Sequence, residues 1–188
     1  GGFMSDMMGS KAEALAALAR ETRRPGLRFD YSGHGQSGGQ FTDGTISDWL
    51  EQSIHMFIAK TRAKRIIVGS SMGGWLALLL ARVLLRDDPR AARRMAGIVL
   101  IAPAADMTSD LMLNTFPPEA LEQLKARGVY ERPSDYGDPM PITFKLLEDG
   151  AKHLLLKTGL ELPCPVRILQ GSSDPDVPPT GITTLGAG

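Results

Sequence analysis

Ser71 stands two residues after Gly69 and two before Gly73, with Gly74 directly following. The run Arg65-Ile66-Ile67-Val68 before it is apolar and β-branched, too short for a helix, and predicts a buried parallel strand. Beyond Gly74, the residues Trp75, Leu76, Leu78, Leu79, Ala81, Val83 and Leu84 predict a helix buried on most sides. A serine hydroxyl becomes a nucleophile only when a base removes its proton and the side chain clears the backbone. A sharp strand-to-helix reversal provides the clearance, and it needs small flanking residues because neighbouring Cβ atoms would collide. The same reversal leaves the amide of Met72 at a helix N-terminus, facing the place where negative charge would develop on a carbonyl oxygen. Ser71 is therefore a candidate nucleophile and the Met72 N–H a candidate oxyanion donor. The competing explanation of the glycines is a tight turn that merely packs helix on strand.

The elements that must position this turn alternate along the chain. Ser10 and Glu13 form a capping-box pattern that predicts a helix to about Thr22, ended by Arg23-Arg24-Pro25-Gly26. Leu27–Asp30 predicts a short strand, followed by the glycine-loaded loop YSGHGQSGGQFTDG. Ile46, Trp49, Leu50, Ile54, Phe57 and Ile58 line one face of a second helix, entered through Thr45 and Asp48. The serine turn comes next, then the apolar strand 97–102 and a last strand at Val166–Leu169 before QGSSDPDVPP. Alternating strands and helices predict an α/β fold with a mostly parallel sheet flanked by helices. In such sheets ligands collect at the carboxyl ends of strands. The clusters 30–37, 70–74, 102–106 and 171–176 all fall there.

Residues 106–160 interrupt the rhythm and predict a small helical cap insertion, with 1–105 and 161–188 as the core. One cap helix enters through Pro117-Pro118 and stops near Gly128, YERPSDYGDPMP reads as loop, and 142–156 reads as one or two further helices. Met107, Met112, Leu113, Phe116 and Met140 could line a pocket beneath it or pack it onto the body.

Composition removes several function classes. Lys+Arg and Asp+Glu both number 21, so no net field draws the 188-residue chain to nucleic acid or an anionic membrane. The single cysteine, Cys164, excludes an internal disulfide framework. No apolar segment approaches the roughly 18 residues that span a bilayer. With no export signal, a cytoplasmic location is expected. SGHGQSGG does not open a helix as a dinucleotide fingerprint would, and no phosphate loop occurs.

Four segments resemble the α/β-hydrolase-fold serine hydrolases. GGFMSDMMG at 1–9 resembles the oxyanion loop after the third strand, and DYSGHGQS at 30–37 the segment after the fourth. GSSMGG at 69–74 resembles the nucleophile elbow, and GSSDPDVP at 171–178 the loop bearing the acid. Within that fold the chain is most similar to the group of mycophenolic acid acyl-glucuronide esterases and palmitoyl-protein thioesterases, with DLMLNTFPPE and ITFKLLEDG supporting the placement. The resemblance implies Ser71 as nucleophile, the amides of Phe3 and Met72 as oxyanion donors, and Asp174 as the acid, with Asp176 its rival on the same loop. It implies a small-molecule acyl ester or thioester substrate, and neither metal nor organic cofactor.

One part of the pattern is missing. The family's order is serine, acid, histidine, and no histidine follows Asp174. His34 is expected to be structural beside the site, His55 solvated on its helix, and His153 a surface or packing residue of the cap. The chain also opens at the oxyanion loop and closes on TGITTLGAG, so truncation at both ends is expected. A non-catalytic hydrolase-like binding protein is the alternative.

Overall fold

The computed structural model describes residues 1–134, 138–157 and 159–179. Its centre is a parallel sheet of β1 (Arg65–Ser70), β2 (Met95–Ile101) and β5 (Val166–Leu169), in the order β1-β2-β5. Register aligns Ile67 with Ile98 and Val166, and Gly69 with Leu100 and Ile168. That face is buried: Ile98 and Leu100 are almost inaccessible. The other face carries Ile66, Val68 and Leu169, all exposed.

Helix α3 (Met72–Asp87) covers the buried face, and 11 of its 16 residues are buried. Each leucine so sequestered contributes roughly 1.5–3 kcal/mol, so this helix anchors the fold and starts one residue after Ser71. Helix α2 (Ile46–Lys60) packs on α3 through Ile46, Trp49, Leu50 and Phe57. It is capped as its sequence predicts, the Thr45 hydroxyl accepting from the Asp48 amide at 3.1 Å. The short helix α4 (Pro89–Ala92) leads into β2.

Between β2 and β5 the chain makes a π-turn at Thr108–Met112, a 3-10 turn at Leu113–Thr115 and helix α5 (Pro118–Arg127). Gly128, at φ 72°, ends α5 in the left-handed conformation that glycine adopts without strain. Strands β3 (Val129–Arg132) and β4 (Met140–Thr143) follow, then helix α6 (Phe144–Gly150) and a 3-10 turn at Ala151–His153.

Three expectations are corrected. Residues 129–143 contain an antiparallel hairpin rather than loop alone: Tyr130 pairs with Ile142, and both are buried. The prolines around it mask a pairing that depends on those two side chains turning inward. Leu27–Asp30 is not a strand, because a strand exists only through ladder bonds and no described residue pairs with it. The capping box at Ser10 does not form. Helix α1 (Ser10–Glu21) is preceded by Gly9, Ser10 lies inside it, and Glu13 pairs with Arg28 at 2.5 Å. None of the residues of α1 is buried. The tail 180–188 lies outside the described residues.

Candidate active site

Ser71 sits at φ 53°, ψ −123°, a conformation that non-glycine residues avoid at a cost of about 1–3 kcal/mol. Four backbone bonds hold it there. Its amide donates to the Ile101 carbonyl at 3.0 Å, and its carbonyl accepts from the amides of Ala104 at 3.1 Å, Gly74 at 2.8 Å and Trp75 at 3.4 Å. The glycines are required by contact. A Cβ on Gly69 would overlap the Gly73 carbonyl, one on Gly73 the Gly1 carbonyl, and one on Gly74 would stand 2.8 Å from Pro103. Ser71 is half-buried, whereas Met72 is wholly buried. The Met72 amide lies in the first turn of α3, where no intrahelical acceptor exists.

The N-terminal segment folds over this turn. Gly2 to Ser5 make a reversal in which the Gly2 carbonyl accepts from the Ser5 amide at 3.2 Å and the Ser5 hydroxyl at 3.0 Å, with Met4 at φ 56°. A Cβ on Gly2 would lie 3.4 Å from the Ser71 Cβ and 3.8 Å from its Oγ. Phe3, the next residue, therefore begins beside the serine. Its ring meets Phe41 edge-on at 4.8 Å and Trp49 at 6.3 Å.

His34 belongs to that aromatic group. Its ring is 5.0 Å from Trp49, 5.1 Å from Phe41 and 5.7 Å from Tyr31. Nδ1 lies 3.1 Å from the Ser32 carbonyl, which also accepts from Trp49 Nε1 at 3.2 Å. Nε2 is buried without a partner. Burial pushes the His34 pKa below its ordinary value against the partial opposition of the Ser32 carbonyl and Asp30, which favours the neutral ring. Tyr31, buried nearby, is pushed up to about 12 for the same reason.

Asp174 follows β5. Its Oδ1 accepts from the amides of Asp176 at 3.0 Å and Val177 at 2.9 Å, and Gln170 Nε2 closes the loop on the Val177 carbonyl at 2.7 Å. Asp176 is exposed on the outside of the same loop. Ser71 follows β1 and Asp174 follows β5, so the two leave the sheet on either side of β2.

His55 is exposed on α2. His153 Nε2 is 2.7 Å from Ser47 Oγ, and that hydroxyl donates to Asp149 Oδ1 at 2.8 Å. Here carboxylate and imidazole meet the same hydroxyl, and the ring does not stand between the other two as it does in a relay. The cluster pins α6 to the start of α2, where the Ser47 amide also donates to Asp149 at 2.7 Å. Burial alone would raise the Asp149 pKa, but the Ser47 amide and hydroxyl, Lys152 and His153 together hold it below its ordinary value.

Sequence reasoning missed the anchoring of the neighbouring residues. Trp75 Nε1 donates to the His153 carbonyl at 3.2 Å and Arg82 to the Leu154 carbonyl at 3.4 Å. Buried Asp106 accepts from the amides of Leu155 and Leu156. The position of Asp106 at the carboxyl end of β2 was its only sequence signal.

Among the described residues no cluster of histidine, cysteine and carboxylate side chains could hold a metal, and no helix is long and apolar enough to cross a membrane. A groove of 720 Å³ lies elsewhere, between Arg28–Ser32 and the Glu51–Met56 face of α2, without Ser71 or Asp174 in its walls.

A parallel sheet joined to a helix through a strained serine is the architecture of the alpha/beta hydrolases. The profile of the alpha/beta hydrolase family matches residues 1–185, and the chain belongs to that family. It is similar to the mitochondrial palmitoyl-protein thioesterase ABHD10 of Homo sapiens, with 30% identity over 94% of this chain and 56% of that protein. It thus spans about half the length of the curated relatives it matches. Among solved structures it is similar to a putative hydrolase from Agrobacterium vitis S4, with 42% identity, a TM-score of 0.93, and coverage of 98% of this chain and 71% of the other. Mouse alpha/beta hydrolase domain-containing protein 10 gives 28% identity and a TM-score of 0.82 over 98% and 72%. The names of these curated relatives place them in mitochondria, so the cytoplasmic expectation gains no support from them.

Proposed function

We propose that this member of the alpha/beta hydrolase family cleaves carboxylic ester or thioester bonds through an acyl-enzyme on Ser71. The observation that carries this is the strained Ser71 backbone between β1 and α3, directly before the first turn of α3 and with the Gly2 backbone packed beside its side chain. A base takes the Oγ proton as Oγ attacks the substrate carbonyl carbon. The Phe3 and Met72 amides donate to the resulting oxyanion. The carbon–oxygen or carbon–sulfur bond breaks, the leaving group takes the proton from the base, and water then hydrolyses the acyl-enzyme by the same route. Asp174 is the carboxylate that orients the base, since its Oδ1 bonds fix it within its loop while Asp176 faces outward. The segment 106–160 acts as the cap over the acyl group, with buried Met107 and Met112 at its root.

No histidine among the 188 residues is assigned as base. His34 is turned to Ser32, His153 to Ser47, and His55 to solvent. That observation favours one second reading, a binding protein built on the same elbow. A fluorophosphonate probe applied to the full-length protein separates the two. Covalent labelling of Ser71, lost in Ser71→Ala, is expected of the hydrolase. A folded, unlabelled protein leaves the binding protein.

A further inference from the structure

Resting on Ser71 as the nucleophile and the Phe3 amide as an oxyanion donor, we propose that His34 is a positioning residue for the oxyanion site, acting through Trp49 and Phe41 on the ring of Phe3. The Ser32 carbonyl can only accept, so the hydrogen-bond pattern assigns the imidazole hydrogen to Nδ1. Nε2 is then a bare acceptor, buried with no donor. A buried polar atom left unpaired lowers stability, and an apolar side chain of similar size would fill the space without that penalty. What an apolar side chain would lack is the bond to Ser32.

That bond fixes the ring against its neighbours. The same Ser32 carbonyl takes the indole hydrogen of Trp49, so His34 and Trp49 are tied to one atom and their rings meet edge-on. Phe41 stacks on Trp49 at 6.0 Å and touches His34 from the other side. There is no slack behind this group. Gly33, at φ 72°, lies so close to the Phe41 backbone that a Cβ would stand 2.6 Å from its Cα, and Gly44 lies directly against the Trp49 ring. Phe3 inserts its ring into this assembly. The Gly2–Ser5 reversal meets the body through the Gly2 backbone beside Ser71 and through the Phe3 ring, so the ring is a side-chain anchor of the amide proposed to face the oxyanion. A donor must meet an oxyanion at about 2.7–3.1 Å, and a small displacement of the ring moves the amide out of that range.

The test uses the full-length protein with His34→Leu, which removes the donor, and His34→Asn, whose side-chain amide can still donate to Ser32. The readouts are kcat and KM on an acyl thioester, affinity for a phenylboronic acid that forms a tetrahedral adduct with the serine, and the thermal midpoint. In His34→Leu, kcat and boronate affinity are expected to fall about tenfold or more, with KM within about threefold and the fold intact. His34→Asn is expected to restore most of both. A folded His34→Leu with unchanged kcat and boronate affinity, or with KM alone altered, overturns the proposal. Should His34→Leu fail to fold, Phe41→Leu must show the same split, and unchanged values there overturn it equally. Wild-type protein that a fluorophosphonate leaves unlabelled at Ser71 refutes the nucleophile itself, a result distinct from an inert His34 variant.

Discussion

The carboxylate of Asp106 accepts from two successive amides 49 and 50 residues further on, Leu155 at 2.7 Å and Leu156 at 3.0 Å. Asp106 is buried and at φ 55°, and desolvation pushes its pKa above the ordinary value despite those two bonds. It joins the end of β2 to the chain that leaves α6, closing the intervening segment at its base.

Replacing that carboxylate removes two hydrogen bonds from backbone amides to an ionisable acceptor. Asp106→Ala is expected to destabilise the protein by about 2–4 kcal/mol, from the loss of two hydrogen bonds to a carboxylate at roughly 1.5–3 kcal/mol each with partial relaxation. Urea unfolding followed by tryptophan fluorescence measures the loss. A shift of the midpoint too small to reach 1 kcal/mol would mean that the segment is held mainly by its apolar contacts.

The strain at Ser71 predicts opposite effects on stability and chemistry. Glycine adopts positive φ freely, so Ser71→Gly relieves the strain while adding some unfolded-state entropy. A net stabilisation of up to about 1 kcal/mol is expected, together with complete loss of fluorophosphonate labelling. A destabilised Ser71→Gly protein would show that the hydroxyl, rather than the backbone, is what the fold uses.

The two aspartates of the loop after β5 should differ sharply. Asp174→Asn is expected to reduce kcat by roughly 10²–10⁴-fold in the full-length enzyme, as loss of the orienting carboxylate does elsewhere. Asp176→Asn, on the exposed side, should change it by less than about threefold. Steady-state hydrolysis of a chromogenic ester reads both, and the reverse ranking would move the acid to Asp176.

Both partly or fully buried histidines, His34 and His153, have pKa values lowered by desolvation from the ordinary 6.5. In each case the unfolded chain takes up the proton first on acidification. Their neutral forms therefore support the fold fully above pH 6.5. That support is lost as the pH falls from there through the lowered folded values. Each contributes a slope of at most about 1.4 kcal/mol per pH unit. Unfolding free energies at several pH values between 7.5 and 5 (~neutral to mildly acid) should decline toward acid, and less steeply in His153→Gln. Equal slopes in variant and wild type would place the effect elsewhere.

The strand, turn and helix around Ser71 were legible because their signal is local: a β-branched run, a serine among glycines and an apolar helix specify one another over about 20 residues. Helix α2 and the Gly128 stop were legible for the same reason. Leu27–Asp30 misled because its composition suits a strand, while strand identity belongs to a ladder partner that composition does not contain. Tyr130 and Ile142 were hidden among prolines, their pairing visible only once both side chains turn inward. The links from Ser47 to Asp149 and from Asp106 to Leu155 cross large sequence distances. No periodicity announces such contacts. Even at Glu13, where the capping pattern was correct as text, Arg28 took the carboxylate instead.

Because one parallel strand stands between the exits of β1 and β5, and neighbouring strands lie about 4.8 Å apart, the strand ends Ser70 and Leu169, both in register with Ile101, are held about 10 Å from each other. Ladder bonds set that dimension, so it behaves as a ruler that loop motion can tilt but cannot stretch. Insertions after Leu169 would move Asp174 but leave that separation unchanged. The separation of those two strand ends stays constant as long as β2 remains paired on both edges.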